Sequence, residues 1–367
     1  MVIGYCRSGS IFNESRSTKE IIALLQAGYN VEVFGWDRDG EAYNKNVRLF
    51  SEYKDKVAFH FYKGRAGKSN INKVFDRIKW AVWLAKAIRK AKNVQVIHAC
   101  DFDTAFPVFL VNKNHSRKMV YDIYDYYIDA HPVPGPVKNI IEKLDHKIIN
   151  TAQCVIICTE ERREQIKGTE HQKLLVIYNS PEINRLDDAA TQYDYCYCGA
   201  LNDGRLVSEI VDQYENDSNL RFFFAGTGKY SDKLKTLDKS FDEFTFAGSI
   251  TYDQVLNVEK KTKVLSAIYD PSKRNHQLCA PNKFYEALAL GKPVIVVRNT
   301  GIDKLVEEYQ IGKVINYNAS EFFQALKYLI SHDDECKKMG IRARRLYEDR
   351  YQWSDMKKIL VNMYSEL

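Results

Sequence analysis

The sequence lacks the features that mark several large classes of protein. No apolar run approaches the roughly 20 residues that a membrane-spanning helix needs. The chain opens on a strand-like run, Val2 to Cys6, instead of the segments of a signal peptide. Its eight cysteines include no Cys-x-x-Cys pair, and no histidine stands beside Cys196 and Cys198 to complete a zinc site. No motif typical of DNA- or RNA-binding domains is present. These absences predict a cytoplasmic protein with free buried thiols, no metal and no nucleic-acid partner.

The composition is that of a globular protein of more than one domain. With 367 residues, the chain is long enough for about two domains of ordinary size. Hydrophobic residues make up 45% and charged residues 28%, which is typical of a protein with a sizeable core. The formal net charge of +6 is modest, and it suits an anionic small ligand or an anionic membrane surface.

Both halves of the chain alternate short apolar strands with amphipathic helices, which predicts an α/β fold with parallel sheets. The first half begins with a strand and the loop Ser8-Gly9-Ser10, and the pattern restarts at Tyr195 with a second strand and loop. Between the halves, residues 179–193 turn polar, as an interdomain linker does. We therefore predict two Rossmann-like domains, at residues 1–180 and 190–349.

One stretch of the second half, Cys279 to Val297, joins a loop, a helix and a strand. Apolar residues recur at helical spacing after Pro281, Gly291 is suited to end the helix, and residues 294–297 form a β-branched strand. The unpaired N–H groups and positive dipole at such a helix start make it a site for phosphate. Glu286, in the second turn, could then reach a hydroxylated group attached to that phosphate. The alternative is an ordinary βα unit in which Glu286 is solvated.

The sequence of one stretch within Cys279 to Val297 is Pro281-Asn-Lys-Phe-Tyr-Glu-Ala-Leu-Ala-Leu-Gly-Lys-Pro-Val-Ile295. It resembles the donor-binding signature of family 4 retaining glycosyltransferases, of the type that makes bacterial surface polysaccharides. The resemblance implies the GT-B fold, with two Rossmann-like domains facing across a cleft and the tail, residues 350–367, crossing back to the first domain. A plain helix on the second domain is the alternative for the tail. The implied co-substrate is a nucleotide-diphospho-sugar, with a UDP-sugar favoured, and neither a cofactor nor a metal is expected.

The resemblance also assigns donor-side residues. In the family, the loop before the helix holds the diphosphate through backbone amides, and the glutamate at the Glu286 position bonds the ribose. Arg205 fills the second of two basic places in the loop that follows the Tyr195 strand. The residues expected to act in catalysis are Arg205, Glu286 and Asp125. The predicted donor-binding residues are Gly9, Arg205, Gly226, Ser249, Ile250, Asn275, His276, Ala280, Pro281, Asn282, Lys283 and Glu286.

Polar residues also stand at the predicted strand ends of the first half. Such positions face the ligand crevice of an open α/β sheet, and here they resemble the acceptor side of the family. Capping of helices and turns is the alternative for the aspartates, and a surface charge is the alternative for Arg16. The predicted acceptor-side residues are Arg16, Asp101, Asp103, Tyr124, Asp125 and His131.

Three residues depart from the family pattern. Ala200 stands where the first basic residue is expected, and Tyr124 where the family has His or Arg. Leu278, eight positions before Glu286, replaces a glutamate that contacts the transferred sugar. Lys229, Lys273 and Arg274 are possible substitutes for the missing phosphate contact, and Asn275 or His276 for the sugar contact. The departures keep two other functions open: a non-catalytic nucleotide-sugar-binding partner of another glycosyltransferase, and a GT-B-like epimerase or phosphorylase.

A basic helix is predicted over residues 72–93. Its apolar stripe, Phe75, Ile78, Val82 and Ala85, is expected to pack on the sheet. Trp80 and Trp83 fall outside that stripe, among lysines, which suits the anionic headgroup layer of a membrane. The alternative is that a neighbouring loop covers both tryptophans. With the resemblance, this helix favours a glycan or polyprenyl-diphosphate-linked acceptor and a peripheral position on the inner face of the cell membrane.

Overall fold

The computed structural model describes residues 1–12, 14–64, 70–112, 116–131, 133–184 and 189–367, with the backbone alone at residues 70, 71 and 73. The chain divides into two compact units. Unit 1 comprises Met1–Ile177 together with Lys357–Leu367, and unit 2 comprises Tyr178–Met356. Each unit is built around one parallel sheet with helices, so the predicted α/β fold class is confirmed.

Unit 1 contains a seven-stranded sheet with the strand order β3-β2-β1-β4-β5-β6-β7. Its central strands are buried apolar runs, as a parallel sheet covered on both faces requires. The strands are β1 (Val2–Cys6), β2 (Asn30–Asp37), β3 (Val57–Lys63), β4 (Val96–Cys100), β5 (Lys118–Ile123), β6 (Cys154–Ile157) and β7 (Leu174–Val176). The α-helices that precede β7 are α1 (Ser15–Gln26), α2 (Ala42–Leu49), α3 (Asn70–Lys90), α4 (Phe102–Val111), α5 (Tyr127–Ala130) and α6 (Gly135–Thr151).

The face by which α3 packs is the reverse of the predicted one. Trp80 is fully buried and stacks on Trp36 of β2, with ring centroids 5.9 Å apart. Leu84 and Ile88 continue this buried stripe at intervals of four residues, whereas Phe75, Ile78 and Val82 are exposed. The prediction was wrong because α3 carries two apolar stripes. The stripe with the larger aromatic side chain removes more area from water when it packs on the sheet.

Unit 2 contains a six-stranded sheet with the strand order β10-β9-β8-β11-β12-β13. All of its paired strands run parallel. The strands are β8 (Tyr193–Cys198), β9 (Phe222–Ala225), β10 (Phe244–Phe246), β11 (Thr262–Ala267), β12 (Val294–Val297) and β13 (Gly312–Ile315). The α-helices are α7 (Val207–Tyr214), α8 (Ser231–Ser240), α9 (Tyr252–Lys260), α10 (Arg274–Gln277), α11 (Asn282–Ala289), α12 (Ile302–Tyr309), α13 (Ala319–Ser331) and α14 (Asp333–Leu346).

The loop–helix–strand unit predicted around Pro281 is present. Helix α11 begins at Asn282 with Pro281 as its N-cap, one residue later than the sequence suggested. Gly291 follows the helix with a φ of 62°, a left-handed conformation that glycine adopts without strain, and the chain then enters β12. This arrangement directs the start of α11 to the carboxyl edge of the unit 2 sheet.

The last helix, α15 (Trp353–Glu366), carries the chain from unit 2 into unit 1. Within unit 1, its Leu360, Met363 and Tyr364 are buried. The Tyr364 hydroxyl lies 2.7 Å from Nδ1 of His98, which is buried in β4. Of the described helices, none is both long and apolar enough to cross a bilayer.

Candidate functional site

In unit 2, Arg205 is held in one orientation at the carboxyl edge of the sheet. The residue lies in the loop between β8 and α7, and its guanidinium carbon is 3.8 Å from the centroid of the Tyr269 ring. Its Nη1 donates to Nε2 of His276 over 3.1 Å and to the carbonyl oxygen of Gly204 over 3.0 Å. A planar guanidinium fixed on one side by a ring and a histidine presents its remaining N–H groups as a fork that suits a phosphate.

His276 is a neutral imidazole in this site. Burial, and next the neighbouring Arg205, lower its pKa to about 4. Its Nδ1–H donates to the carbonyl oxygen of Asp270 over 3.0 Å, which leaves Nε2 with the lone pair that accepts from Arg205. In the structure His276 contacts and positions Arg205, and its contact with the donor stays a prediction.

Two lysines add positive charge to the same loop. A Cβ placed on Gly199 would lie 2.8 Å from Nζ of Lys283, and one placed on Gly204 would lie 2.9 Å from Nζ of Lys273. Lys283 Nζ also lies 5.1 Å from the centroid of the Tyr197 ring. Although burial opposes its charged form, the neighbouring Tyr197 and Tyr269, followed by Glu286 and Glu259, raise the pKa of Lys283. The Lys283 side chain therefore occupies the neighbourhood of the basic residue that Ala200 lacks. Lys229, another predicted substitute, instead pairs with Asp203 over 3.0 Å.

Glu286 lies on α11, one turn beyond Lys283, and it is buried. Its carboxyl group shares a hydrogen bond with that of Glu259 at the end of α9. Burial, and next the neighbouring Glu286, raise the pKa of Glu259, because two adjacent carboxylates cannot both ionise cheaply. With its pKa raised, the Glu259 carboxyl is the donor in this hydrogen bond and Glu286 is the acceptor. The second Glu259 oxygen is without a hydrogen-bond partner among the residues described.

The other predicted donor-side residues of unit 2 occupy nearby loops. Gly226 ends β9 with a φ of 137°, and a Cβ there would lie 1.8 Å from the carbonyl oxygen of Gly199. Ser249 is exposed and Ile250 half-buried in the loop before α9. The remaining positions lie in α10, in α11 or in the segment that joins them. Asn275 is in α10, the buried Ala280 accepts a hydrogen bond from Asn179 over 2.7 Å through its carbonyl oxygen, and Asn282 starts α11. Leu278, at the position where the family has a glutamate, is a buried apolar residue.

The carboxyl edge of the unit 1 sheet carries a second group of charged residues. Asp101 accepts from the N–H groups of Tyr124 and Asp125, over 2.9 and 3.1 Å, and pairs with Arg7 over 3.2 Å. Burial raises the pKa of Asp101 to about 7. The exposed carboxylate of Asp125 accepts from Arg162 over 3.0 Å. The ends of β4 and β5 are thus tied together, and Asp125 is held at the surface.

Sequence reasoning missed two of the residues that organise this edge. Arg7 lies over the Tyr124 ring, 4.1 Å from its centroid, and Arg162 reaches Asp125 from 37 positions away. The apolar-to-basic change after β1 was the signal for Arg7. Arg162 lies in an irregular helical segment without a motif, so the sequence offered no signal for it.

Arg16 lies inside unit 1. It pairs with Glu20 over 3.0 Å and with Asp122 over 2.8 Å, and it donates to the Ile177 carbonyl oxygen. Of the described residues, one group, His98, Cys100 and Asp122, has ligand atoms within 4.8 Å of one another, as a metal site requires. Asp122 is already bonded to Arg16 and His98, and burial raises the pKa of the Cys100 thiol. These residues form a hydrogen-bonded core network, and contact between Arg16 and an acceptor stays a prediction.

The three remaining predicted residues lie at other points of unit 1. Gly9 is in the loop after β1, where its carbonyl oxygen accepts from Trp36 over 3.0 Å. Asp103 is in the first turn of α4. His131 packs edge-on against Tyr127, with centroids 4.6 Å apart, and burial, followed by Arg77, lowers its pKa.

Comparison with known proteins gives the class of fold and one family match. Residues 197–332, which lie within unit 2, match the model of the family described as "Glycosyl transferases group 1". A search of curated protein sequences finds no match to this chain.

Solved structures resemble the whole chain. Sucrose-phosphate synthase from Thermosynechococcus elongatus has a TM-score of 0.70 at 13% identity, covering 100% of this chain and 98% of that one. HepE from Anabaena, in complex with UDP and glucose, has a TM-score of 0.69 at 15% identity, with complete coverage of both chains. A mutant of S. aureus TarM, whose structure includes UDP, has a TM-score of 0.67 at 12% identity and 99% coverage of each chain. The chain therefore has the GT-B fold, as predicted, and its second unit contains the match to group 1 glycosyl transferases.

Proposed function

We propose that this protein is a retaining glycosyltransferase of family 4 that moves a sugar from a nucleotide-diphospho-sugar to a hydroxyl of a lipid-linked glycan. The main support is Arg205, fixed by Tyr269 and His276 beside Lys283 and the start of α11. Fixed cations and a helix N-terminus at one edge of a sheet suit a diphosphate. The family match over residues 197–332 and the resemblance of the Pro281 stretch support the same function.

In the proposed reaction, unit 2 stabilises the leaving group. Arg205 and Lys283, with the amides at the start of α11, neutralise the charge that develops on the diphosphate, so that no metal ion is needed for this purpose. The Glu286 carboxylate accepts hydrogen bonds from the ribose hydroxyls, and UDP is the favoured nucleotide. Unit 1 holds the acceptor, with Asp125 and Asp101 near its hydroxyl. The departing diphosphate takes the hydroxyl proton on the face where the new bond forms, which retains the anomeric configuration.

Release of nucleoside diphosphate tests this function. The protein is incubated with UDP-, GDP- and dTDP-sugars and, as a control that lacks a diphosphate, with CMP-sugars, with and without extracted lipid-linked glycans, and the liberated nucleotide is measured. We expect one donor to react, and Arg205→Ala and Glu286→Ala to lower the rate by about a hundredfold or more. Arg345→Ala, which changes an exposed arginine on α14, serves as the matched control and should leave the rate unchanged. Turnover that is equal in Arg205→Ala and in the control would refute the assignment.

A non-catalytic nucleotide-sugar-binding partner of another glycosyltransferase is the second candidate. The observation that favours it is Leu278, a buried apolar residue at the position where the family places a sugar-binding carboxylate. Under this alternative, the chain binds a nucleotide sugar, Arg205→Ala weakens that binding, and no donor is turned over with any acceptor.

A further inference from the structure

Two helices of unit 1, α3 and α6, expose apolar side chains to solvent. On α3, Val74, Phe75, Ile78 and Val82 are 56, 57, 54 and 49% exposed. On the first half of α6, Val137 and Ile140 are 44 and 59% exposed. Helix α4 lies between α3 and α6 and contacts both. A soluble surface rarely carries so many large apolar side chains together without a partner.

These residues belong to one side of unit 1. The inner faces of the three helices supply one core cluster, with Leu84 of α3, Val108 of α4 and Ile148 of α6 among its members. Their outer faces therefore form one surface layer. Since each of these helices runs against the parallel strands, the first halves of α3 and α6 lie towards the carboxyl edge of the sheet. We call the exposed residues on the outer sides of α3 and α6 the α3–α6 face.

The charge around the α3–α6 face has one dominant sign. On α3, Lys79, Lys86 and Arg89 share the outer face with Phe75 and Val82 at helical spacing, so basic and apolar side chains are interspersed along it. In the described parts of α3 and α6, the acidic residues outside the core are Asp76 and Glu142. The basic residues are Arg77, Lys79, Lys86, Arg89, Lys90, Lys138, Lys143 and Lys147.

The α3–α6 face also adjoins the edge where the acceptor residues lie. Nη1 of Arg77, on α3, donates to the Tyr127 hydroxyl over 3.1 Å, and His131 packs on the same Tyr127 ring. Helix α5, which contains Tyr127, contacts α6. A bilayer bound to the α3–α6 face would place a lipid-anchored acceptor next to Asp101 and Asp125.

We propose that the α3–α6 face docks on an anionic lipid bilayer. Phe75, Ile78 and Ile140 insert into the headgroup layer, while Lys79 and Lys86 pair with lipid phosphates. This inference replaces the predicted contact through Trp80, which is buried and cannot reach a membrane surface without unfolding unit 1. It does not depend on the donor chemistry proposed for unit 2.

Flotation of the whole protein with vesicles tests the proposal. The vesicles contain phosphatidylcholine alone or phosphatidylcholine with about one third phosphatidylglycerol. We expect the wild type to float with the anionic vesicles, and Phe75→Ser/Ile78→Ser to lower its partition coefficient about tenfold or more. Lys79→Gln/Lys86→Gln should lower the preference for anionic over neutral vesicles. Because these side chains are exposed, the variants should keep the wild-type melting temperature.

Matched controls distinguish binding through this face from non-specific binding by other exposed residues. Val47→Ser/Ile341→Ser removes two exposed apolar residues elsewhere in the chain and should float as the wild type does. Lys337→Gln/Lys338→Gln on α14 is the corresponding control for charge. Equal flotation of wild type and Phe75→Ser/Ile78→Ser, or no flotation of the wild type, overturns the proposal. A dimer in light scattering that Phe75→Ser/Ile78→Ser dissociates also overturns it, because the face would then bind a second copy. Donor hydrolysis should be unchanged in the variants, so failure here leaves the donor site intact.

Discussion

Among single residues, the arginine of the candidate donor site depends on a histidine 71 positions away. Arg205 gains its orientation from Nε2 of His276, which is neutral at physiological pH because its pKa is about 4. We expect His276→Ala to weaken UDP binding about five- to tenfold, since the Arg205 side chain then loses conformational entropy when the ligand binds. Calorimetry of UDP binding measures this effect, with the exposed His332→Ala as control. Unchanged affinity in His276→Ala would show that Tyr269 alone holds the arginine.

A buried aspartate of unit 1 makes stability depend on pH. Burial raises the pKa of Asp145 to about 7, although the Tyr121 hydroxyl donates to its Oδ1 over 2.8 Å. The folded state therefore binds a proton that the unfolded state releases near pH 3.8. The contribution of Asp145 to the free energy of unfolding is therefore complete below the unfolded pKa. It is lost as the pH rises towards about 7, by up to ~4 kcal/mol.

Asp145→Asn keeps the acceptor for Tyr121 and removes the titration. The variant should gain stability relative to wild type as pH rises from 4 to 7, and the difference should be constant above that range. Urea unfolding at several pH values measures it, and Asp349→Asn, an exposed aspartate, should run parallel to the wild type. Parallel curves for Asp145→Asn and wild type would mean that Asp145 is ionised in the folded protein.

The sequence predicted the residues of the site that lie within one continuous motif. The Pro281 stretch and Arg205 could be found because loop, helix and strand signals are local in the chain. Tyr197 and Tyr269 were not singled out, since their contacts with Lys283 and Arg205 join parts of the chain about 60 to 90 positions apart. The Glu259–Glu286 pair was missed for the same reason, because the two carboxyls, 27 positions apart in the chain, meet only in the folded unit, where both are buried.

At the level of elements, the turn after β9 depends on a glycine for two reasons. Gly226 has a φ of 137°, and a Cβ there would lie 1.8 Å from the Gly199 carbonyl oxygen in the turn after β8. Gly226→Ala should cost roughly 2–4 kcal/mol of stability and weaken UDP binding, because the Gly199 loop beside Lys283 must move. Gly248→Ala is the matched control: its φ is 65°, no atom lies within 4 Å of the added Cβ, and the cost should be about 1 kcal/mol. Equal costs would mean that the backbone strain, and not the close approach, decides.

Helix α3 shows where pattern reading fails for an element. Its extent was predicted within a few residues, because the helical period persists over residues 72–93. The buried face was predicted wrongly, since apolar residues occur on two faces and the period alone does not rank them. The three-dimensional reason for the choice is the stack of Trp36, Trp80 and Trp83, which brings a residue of β2 onto the helix. The same preference leaves Phe75 and Ile78 exposed and so creates the α3–α6 face.

At the scale of the whole molecule, unit 1 is assembled from two separate parts of the chain. Its sheet comes from the first 177 residues, and its last helix segment, Lys357–Leu367, arrives only after unit 2 is complete. The buried Tyr364 joins these parts through His98 of β4. A substitution at residue 364 should therefore destabilise the sheet of unit 1, which is distant in sequence, and leave unit 2, which is adjacent in sequence, intact.

Tyr364→Ala tests this dependence in the full chain. Removing a fully buried tyrosine should cost about 3–5 kcal/mol, and it leaves Nδ1 of His98 without its partner. We expect hydrogen exchange to accelerate in β1, β4 and β5 of unit 1, while β8 and β11 of unit 2 keep their protection. Phe322→Ala, which leaves a cavity in the core of unit 2, should accelerate exchange in β8 and β11 and leave β1, β4 and β5 protected. Equal acceleration in both units with either variant would mean that the two units unfold as one, and the tail would then stabilise the molecule as a whole instead of completing unit 1.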